Sequence, residues 1–160
     1  MRQNKVMRAW RWLGWVVLLA ALALAGCSRQ AGEPQPPEIV YGRDVCDRCG
    51  MIIDEPRFAA AVVLADGQTL KYDDLGEMLL QHGTAARETV RAWFVHDYHS
   101  EQWVRGEKAL YVISPKLRTP MGFGVAAFAE RPDAEAFAAT MSGTVLSLEE
   151  ARGKVKGGHP

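Results

Sequence analysis

The sequence predicts an α+β fold: two strand–strand–helix–strand (ββαβ) units forming a single domain, carried behind an N-terminal signal and a flexible tether. Three observations predict it. Asp66-Gly67 separates two strand-like runs, Phe58–Leu64 and Gln68–Tyr72, which is a strong hairpin signal. A helical pattern through Leu75, Met78, Leu79 and His82 follows, and then a strand-like run from Thr89 to His96. The same order of patterns returns between Leu110 and Leu146, and two such units imply mixed or antiparallel sheets.

The elements read as follows from the N-terminus. Arg2, Lys5, Arg8 and Arg11 precede a short apolar core from Leu13 to Leu24, with no acidic residue among them. A basic region, an apolar region and small residues at its end describe an export signal. The core falls short of the about 20 apolar residues that a membrane span needs. Its end, Leu24-Ala25-Gly26-Cys27, resembles a bacterial lipobox, in which cleavage before the Cys leaves it to carry lipid. Residues 1–26 are therefore expected to be removed, Cys27 to be the lipidation site, and the domain to sit in the cell envelope facing the periplasm. Ser28, rather than Asp, after the lipid Cys suits sorting to the outer membrane. Residues 27–40, with Pro34, Pro36 and Pro37, read as a semi-extended tether.

Removing the signal changes the electrostatics. The chain holds 19 Lys and Arg against 19 Asp and Glu, and the four charges of the signal are all basic, so the remainder has 15 against 19. A mildly acidic domain gives no reason to expect nucleic acid, which usually leaves a basic patch. Roughly 130 residues remain, enough for one domain with its own core.

Residues 41–153 are expected to fold, as units of about 45–98 and 105–150, with 154–160 a loose tail. Asp73 and Asp74 can cap the first helix and Gly83 stops it. In the second unit Leu110–Ile113 and Gly124–Ala129 are strand-like. Pro132 and Asp133 open a helix with Ala136, Phe137 and Met141 on one side, and Gly143 closes it. Thr144–Leu146 is a short strand, and a helical turn runs from Leu148 to Arg152.

The chemistry concentrates in Cys46-Asp47-Arg48-Cys49-Gly50-Met51, just before the first strand. A Cys-x-x-Cys redox pair opens a helix after a strand, where the helix end lowers a thiol pKa, and Gly50 with its β-like sequel argues against that. A c-type haem site needs His where Gly50 stands. A structural zinc site commonly uses a second Cys pair, and none exists here. A plain disulfide between Cys46 and Cys49 remains open, since an oxidising compartment favours it.

Met51 favours soft-metal binding. In an extended chain residues i and i+2 share a face, so Cys49 and Met51 can aim their sulfurs at one point. Thiolate with thioether is a soft donor set that suits Cu(I). Met121, in Thr119-Pro120-Met121-Gly122-Phe123-Gly124, sits where a constrained loop can present a side chain, and stands as a third sulfur ligand. Met78 and Met141 lie at helical spacing among apolar residues and read as core. His82, His96 and His99 read as ordinary structural histidines.

Together these segments resemble the NosL family. The resemblance rests on the lipobox, the Cys46–Met51 run, Tyr72-Asp73-Asp74-Leu75-Gly76, and the Thr119–Gly124 loop leading to Ala127-Phe128. It implies an outer-envelope lipoprotein that supplies Cu(I) for the copper-sulfide centre of nitrous oxide reductase. It also implies a fold of two ββαβ units. The partner it implies is a membrane complex of an ABC transporter and a periplasmic β-helical protein. Carried onto this chain, the ligands are Cys49, Met51 and Met121; Cys46 is either a further thiolate or a disulfide partner of Cys49. Asp73 and Asp74 are helix caps or contacts behind the ligands or with the partner.

The expectation is thus a carrier and not an enzyme. No nucleophile with its base is evident, and no phosphate-cradling Gly-rich loop. Two alternatives stand beside it: an envelope thiol-disulfide protein using Cys46 and Cys49, and a structural lipoprotein.

Overall fold

The computed structural model describes residues 32–83 and 89–155. The expected signal, the expected lipidation site Cys27, the start of the expected tether and the end of the tail lie outside these residues. From Pro34 onward the chain belongs to one compact unit.

The first sheet is built on the hairpin. β1 (Ala60–Leu64) pairs antiparallel with β2 (Thr69–Tyr72) in the register Ala60↔Tyr72 to Val63↔Thr69. Gly67, at φ +92°, supplies the left-handed backbone of the turn, and the Asp66 carboxylate accepts from Gln68 N at 2.9 Å. β3 (Val90–His96) pairs antiparallel with the other edge of β1, and every residue of β1 is buried, Ala60, Val62 and Leu64 in the main core and Ala61 and Val63 against Ala92 and Phe94 on the other face. β4 (Trp103–Arg105) extends the sheet, giving the order β2-β1-β3-β4. β4 has no counterpart among the expected elements. It is three residues long and falls outside the repeated ββαβ order, and tertiary contacts hold it: Trp103 lies against the His96 ring at 3.7 Å between centroids.

The second sheet repeats the plan. β5 (Leu110–Ile113) is central, with β6 (Val125–Phe128) and β7 (Thr144–Leu146) antiparallel on either side. In both units the first strand is the middle one, its hairpin partner lies on one side, and the strand after the helix lies on the other. The sheets meet at Asp97, which bridges to Ala127 and accepts from Ala129 N at 2.9 Å.

Among the described residues three α-helices complete the fold: α1 (Leu75–Gln81), α2 (Arg131–Met141) and α3 (Leu148–Lys154). The main core joins α1 and α3 to both sheets through Met78, Leu79, Val62, Val95, Tyr111 and Ala151. Ile39, within the segment read as tether, also packs in this core. A second cluster lies under α2.

Two expectations for α2 need correction. Its inward face is Ala134, Phe137, Ala138 and Met141, whereas Ala136 is exposed. Counted from Ala134, the i, i+3, i+4, i+7 set leaves Ala136 outside the stripe, and alanine pays little for exposure. The helix is also closed by Ser142, at φ 53°, not by Gly143. Gly143 is needed for space: a Cβ there would lie 2.6 Å from Val112 Cγ1.

Candidate metal centre

The Cys46–Met51 run forms the turn of a narrow hairpin. Val45 bridges Ile52, Cys46 N donates to Met51 O at 2.8 Å, and Gly50 N donates to Cys46 O at 3.0 Å. Gly50, at φ +73°, supplies the left-handed step that closes it. The turn is docked on β2: Asp47 N donates to Lys71 O at 2.8 Å, Lys71 N donates to the Asp47 carboxylate at 2.6 Å, and Lys71 Nζ reaches Asp44 at 2.7 Å. The segment is therefore a reversal and not the extended run on which the i, i+2 argument for Cys49 and Met51 depends. Cys46 points inward at 2% exposure, Cys49 is half-buried, and Met51 is 47% exposed. Among the described residues, the exposed large hydrophobics are Val40, Tyr41, Val45, Met51 and Ile52, all in this hairpin and its approach.

Beneath the turn lies the start of α1, where Asp73, Asp74 and Glu77 are all buried. Cys46 Sγ donates to Glu77 Oε2 at 3.1 Å, and Cys49 Sγ donates to Asp73 Oδ1 at 3.4 Å. Arg48 Nε lies 3.5 Å from Glu77 Oε1. One donor atom from each of Cys46, Cys49, Asp73 and Glu77 lies within 4.8 Å of all the others. The second oxygen of Asp73 is buried and has no hydrogen-bond partner. A buried carboxylate oxygen left unpaired is costly, and a bound cation is one way to satisfy it. Burial pushes the Cys46 thiol well above the usual thiol range and raises the Cys49 thiol as well, so both stay protonated and donate to the carboxylates.

Asp74 faces the other way. As the N-cap of α1 it accepts from Gly76 N at 2.7 Å through Oδ1. Its Oδ2 accepts from Thr119 Oγ1 at 2.6 Å and from Met121 N at 2.9 Å. Burial raises its pKa against the pull of these three donors. Phe123, in the same loop, packs so tightly on α1 that a Cβ on Gly76 would fall 2.1 Å from Phe123 Cβ. Adjacent residues at one helix start thus tie down the two loops that carry the sulfur residues: Asp73 contacts Cys49, and Asp74 holds the Met121 backbone.

The NosL family profile matches residues 38–155, most of the chain. The chain belongs to the NosL family. The copper-binding lipoprotein NosL of Stutzerimonas stutzeri is 30% identical to it over 146 residues, spanning 84% of this chain and 77% of that protein. The crystal structure of the copper chaperone NosL from Shewanella denitrificans has the same fold, with a TM-score of 0.60 at 20% identity over 73% of this chain and 96% of that one.

Within this NosL fold the residues singled out in the sequence fall into three groups. Cys46, Cys49 and Asp73 come together. Met51 and Met121 belong to the two loops tied to the start of α1, one exposed and one half-buried. The histidines are elsewhere. His82 Nε2 pairs with Tyr72 OH at 2.8 Å, while His96 bonds Ala59 O at 3.0 Å and Tyr41 OH at 3.1 Å. His99 is exposed on the turn after β3. Glu77 was the residue missed. Its signal is present in the sequence: it is the one charge in the apolar run that follows the acidic pair Asp73-Asp74.

Proposed function

We propose that this chain is an envelope lipoprotein, anchored through lipid on Cys27, that binds Cu(I) and hands it on for the copper-sulfide centre of nitrous oxide reductase. Its receiver is a complex of an ABC transporter with a β-helical periplasmic protein. Cys49, Met51 and Met121 are the ligands, with Cys46 as a further thiolate. The observation that carries this reading is the convergence of the thiol hairpin and the Met121 loop on Asp73 and Asp74. Sulfur donors suit a soft monovalent ion, and thioethers add no charge, which keeps the ion transferable. The exposed Val45, Met51 and Ile52 at the mouth of the site suit transient docking of a receiver. A thiol-disulfide enzyme activates one cysteine by lowering its pKa; here burial raises both, which speaks against that alternative.

The test is anaerobic Cu(I) titration of the detergent-solubilised full chain against a competing chelator. Met51→Ala and Met121→Ala are each expected to weaken binding by about 10-fold or more. Binding that ignores both substitutions would sink the sulfur-ligand assignment. Delivery is tested in cells: a host carrying only the Cys49→Ser chain should accumulate reductase without its copper-sulfide centre, and fully loaded enzyme would refute that role.

Copper affinity should also depend on pH. The raised thiol pKa values keep Cys46 and Cys49 protonated near neutrality, so the ion must displace their protons. Apparent affinity therefore rises with pH, by up to about 10-fold per pH unit for each proton released. Titrations between about pH 6 and about pH 8 read this slope directly. A flat profile would mean that neither thiol is a ligand.

A further inference from the structure

We infer that Cys46, Cys49, Asp73 and Glu77 form a second binding mode in this chain, a four-coordinate site for a divalent ion of the Zn(II) class. It shares two thiols with the proposed Cu(I) site but does not depend on copper being the cargo. The donor set motivates it. Two thiols and two carboxylates already lie within 4.8 Å of one another, with Cys46 and Glu77 at 3.1 Å and Cys49 and Asp73 at 3.4 Å. Metal–sulfur bonds of about 2.3 Å and metal–oxygen bonds of about 2.0 Å give a tetrahedron with edges of about 3.3–3.8 Å. Closing the cluster on an ion therefore asks for side-chain shifts of about 1 Å at most.

Charge and hardness choose the ion. Once both thiols have released their protons to solvent, the four groups are anionic, and a divalent ion neutralises half of that charge where Cu(I) neutralises a quarter. The Arg48 guanidinium beside Glu77 offsets part of the remainder. Carboxylate oxygen is a poor partner for Cu(I) and a normal one for zinc, while the two thiolates disfavour magnesium and calcium. Asp73 is 2% exposed, its second oxygen has no hydrogen-bond partner, and its first faces Cys49, so the carboxylate is aimed into the cluster with bonding capacity unused. Met51 and Met121 have no part in this mode. The same thiols thus serve a mixed thiolate–carboxylate inner face for a divalent ion of the zinc class and, with the two thioethers, an all-sulfur set for Cu(I).

The experiment is titration of the full chain, solubilised and anaerobically reduced, with Co(II) as a spectroscopic probe and then with Zn(II). Expected are a thiolate-to-cobalt charge-transfer band with the visible bands of tetrahedral Co(II), both bleached by one equivalent of Zn(II). Asp73→Asn and Glu77→Gln should each weaken Zn(II) binding by more than about 100-fold, past the upper end of what loss of an outer-shell partner costs, and Cu(I) binding by less than that, since the two carboxylates only contact its thiol ligands. Met51→Ala and Met121→Ala should do the reverse. A Co(II) complex of the unaltered chain without the thiolate band overturns the proposal and requires no variant. So does Zn(II) binding that ignores Asp73→Asn and Glu77→Gln, or a loss of Zn(II) and Cu(I) binding in step. Zn(II) binding as described with no Cu(I) binding at all would overturn the copper reading and leave this one standing.

Discussion

Cys49→Ser is expected to remove tight Cu(I) binding from a chain that still folds. The substitution exchanges a soft thiolate for a hard hydroxyl that stays protonated, and Cu(I) has little affinity for the second. Cys49 sits at the side of the hairpin turn nearest Asp73, half-buried, and a serine hydroxyl can keep the hydrogen bond that Sγ now makes at 3.4 Å. The main chain of the turn is held by bonds that do not involve this side chain, from Cys46 N to Met51 O and from Asp47 N to Lys71 O. Cys49 flanks the main core without filling it, so stability should change by about 1 kcal/mol or less. Affinity should fall by more than about 100-fold, the upper end of what an outer-shell partner costs. Urea unfolding reads the first quantity and chelator competition the second. Retention of tight binding would assign the copper to Cys46 and the methionines without Cys49.

Asp74→Ala should cost the most stability of any single change at the site. Its carboxylate satisfies Gly76 N, Thr119 Oγ1 and Met121 N while itself fully buried. Loss of an N-cap costs about 1 kcal/mol. Each buried donor left without an acceptor adds about 1–3 kcal/mol, not additively. A total of about 3 kcal/mol is expected in chemical denaturation. Asp74→Asn separates the two jobs. It keeps an oxygen for the cap but turns an amide donor toward Met121 N, so the Met121 loop loosens while α1 stays capped. Its stability loss should be roughly half that of the alanine variant, and its Cu(I) affinity should fall in proportion to what Met121 contributes. If Asp74→Asn loses stability but not affinity, the loop does not present a ligand.

These expectations show where sequence was sufficient. Asp66-Gly67 between two apolar runs made the first hairpin legible, because a two-sided turn signal is local. The ββαβ order was legible twice for the same reason, since period and punctuation are carried by neighbouring residues. β4 was not: β7 is equally short but completes the repeated ββαβ order after its helix, whereas β4 falls outside that order and its partner β3 is supplied by the fold. The exposed Ala136 shows a finer limit: alanine suits either face of a helix, so composition could not settle the register that packing on β5 and β6 imposes.

At the site the division is chemical. The sequence by itself showed which residues could offer sulfur, and that they lie in two Gly-containing loops far apart in the chain, because donor type is a property of the residue. The different tasks of Asp73 and Asp74 were decided only by tertiary structure. Adjacent carboxylates look alike in one dimension, but one turns toward the thiols and the other caps α1 and grips the Met121 loop. Tertiary structure also turned Glu77 from an ordinary helix residue into a buried partner of Cys46. What a buried charge does depends on what desolvates it and what faces it, and both come from parts of the chain that meet only when it folds.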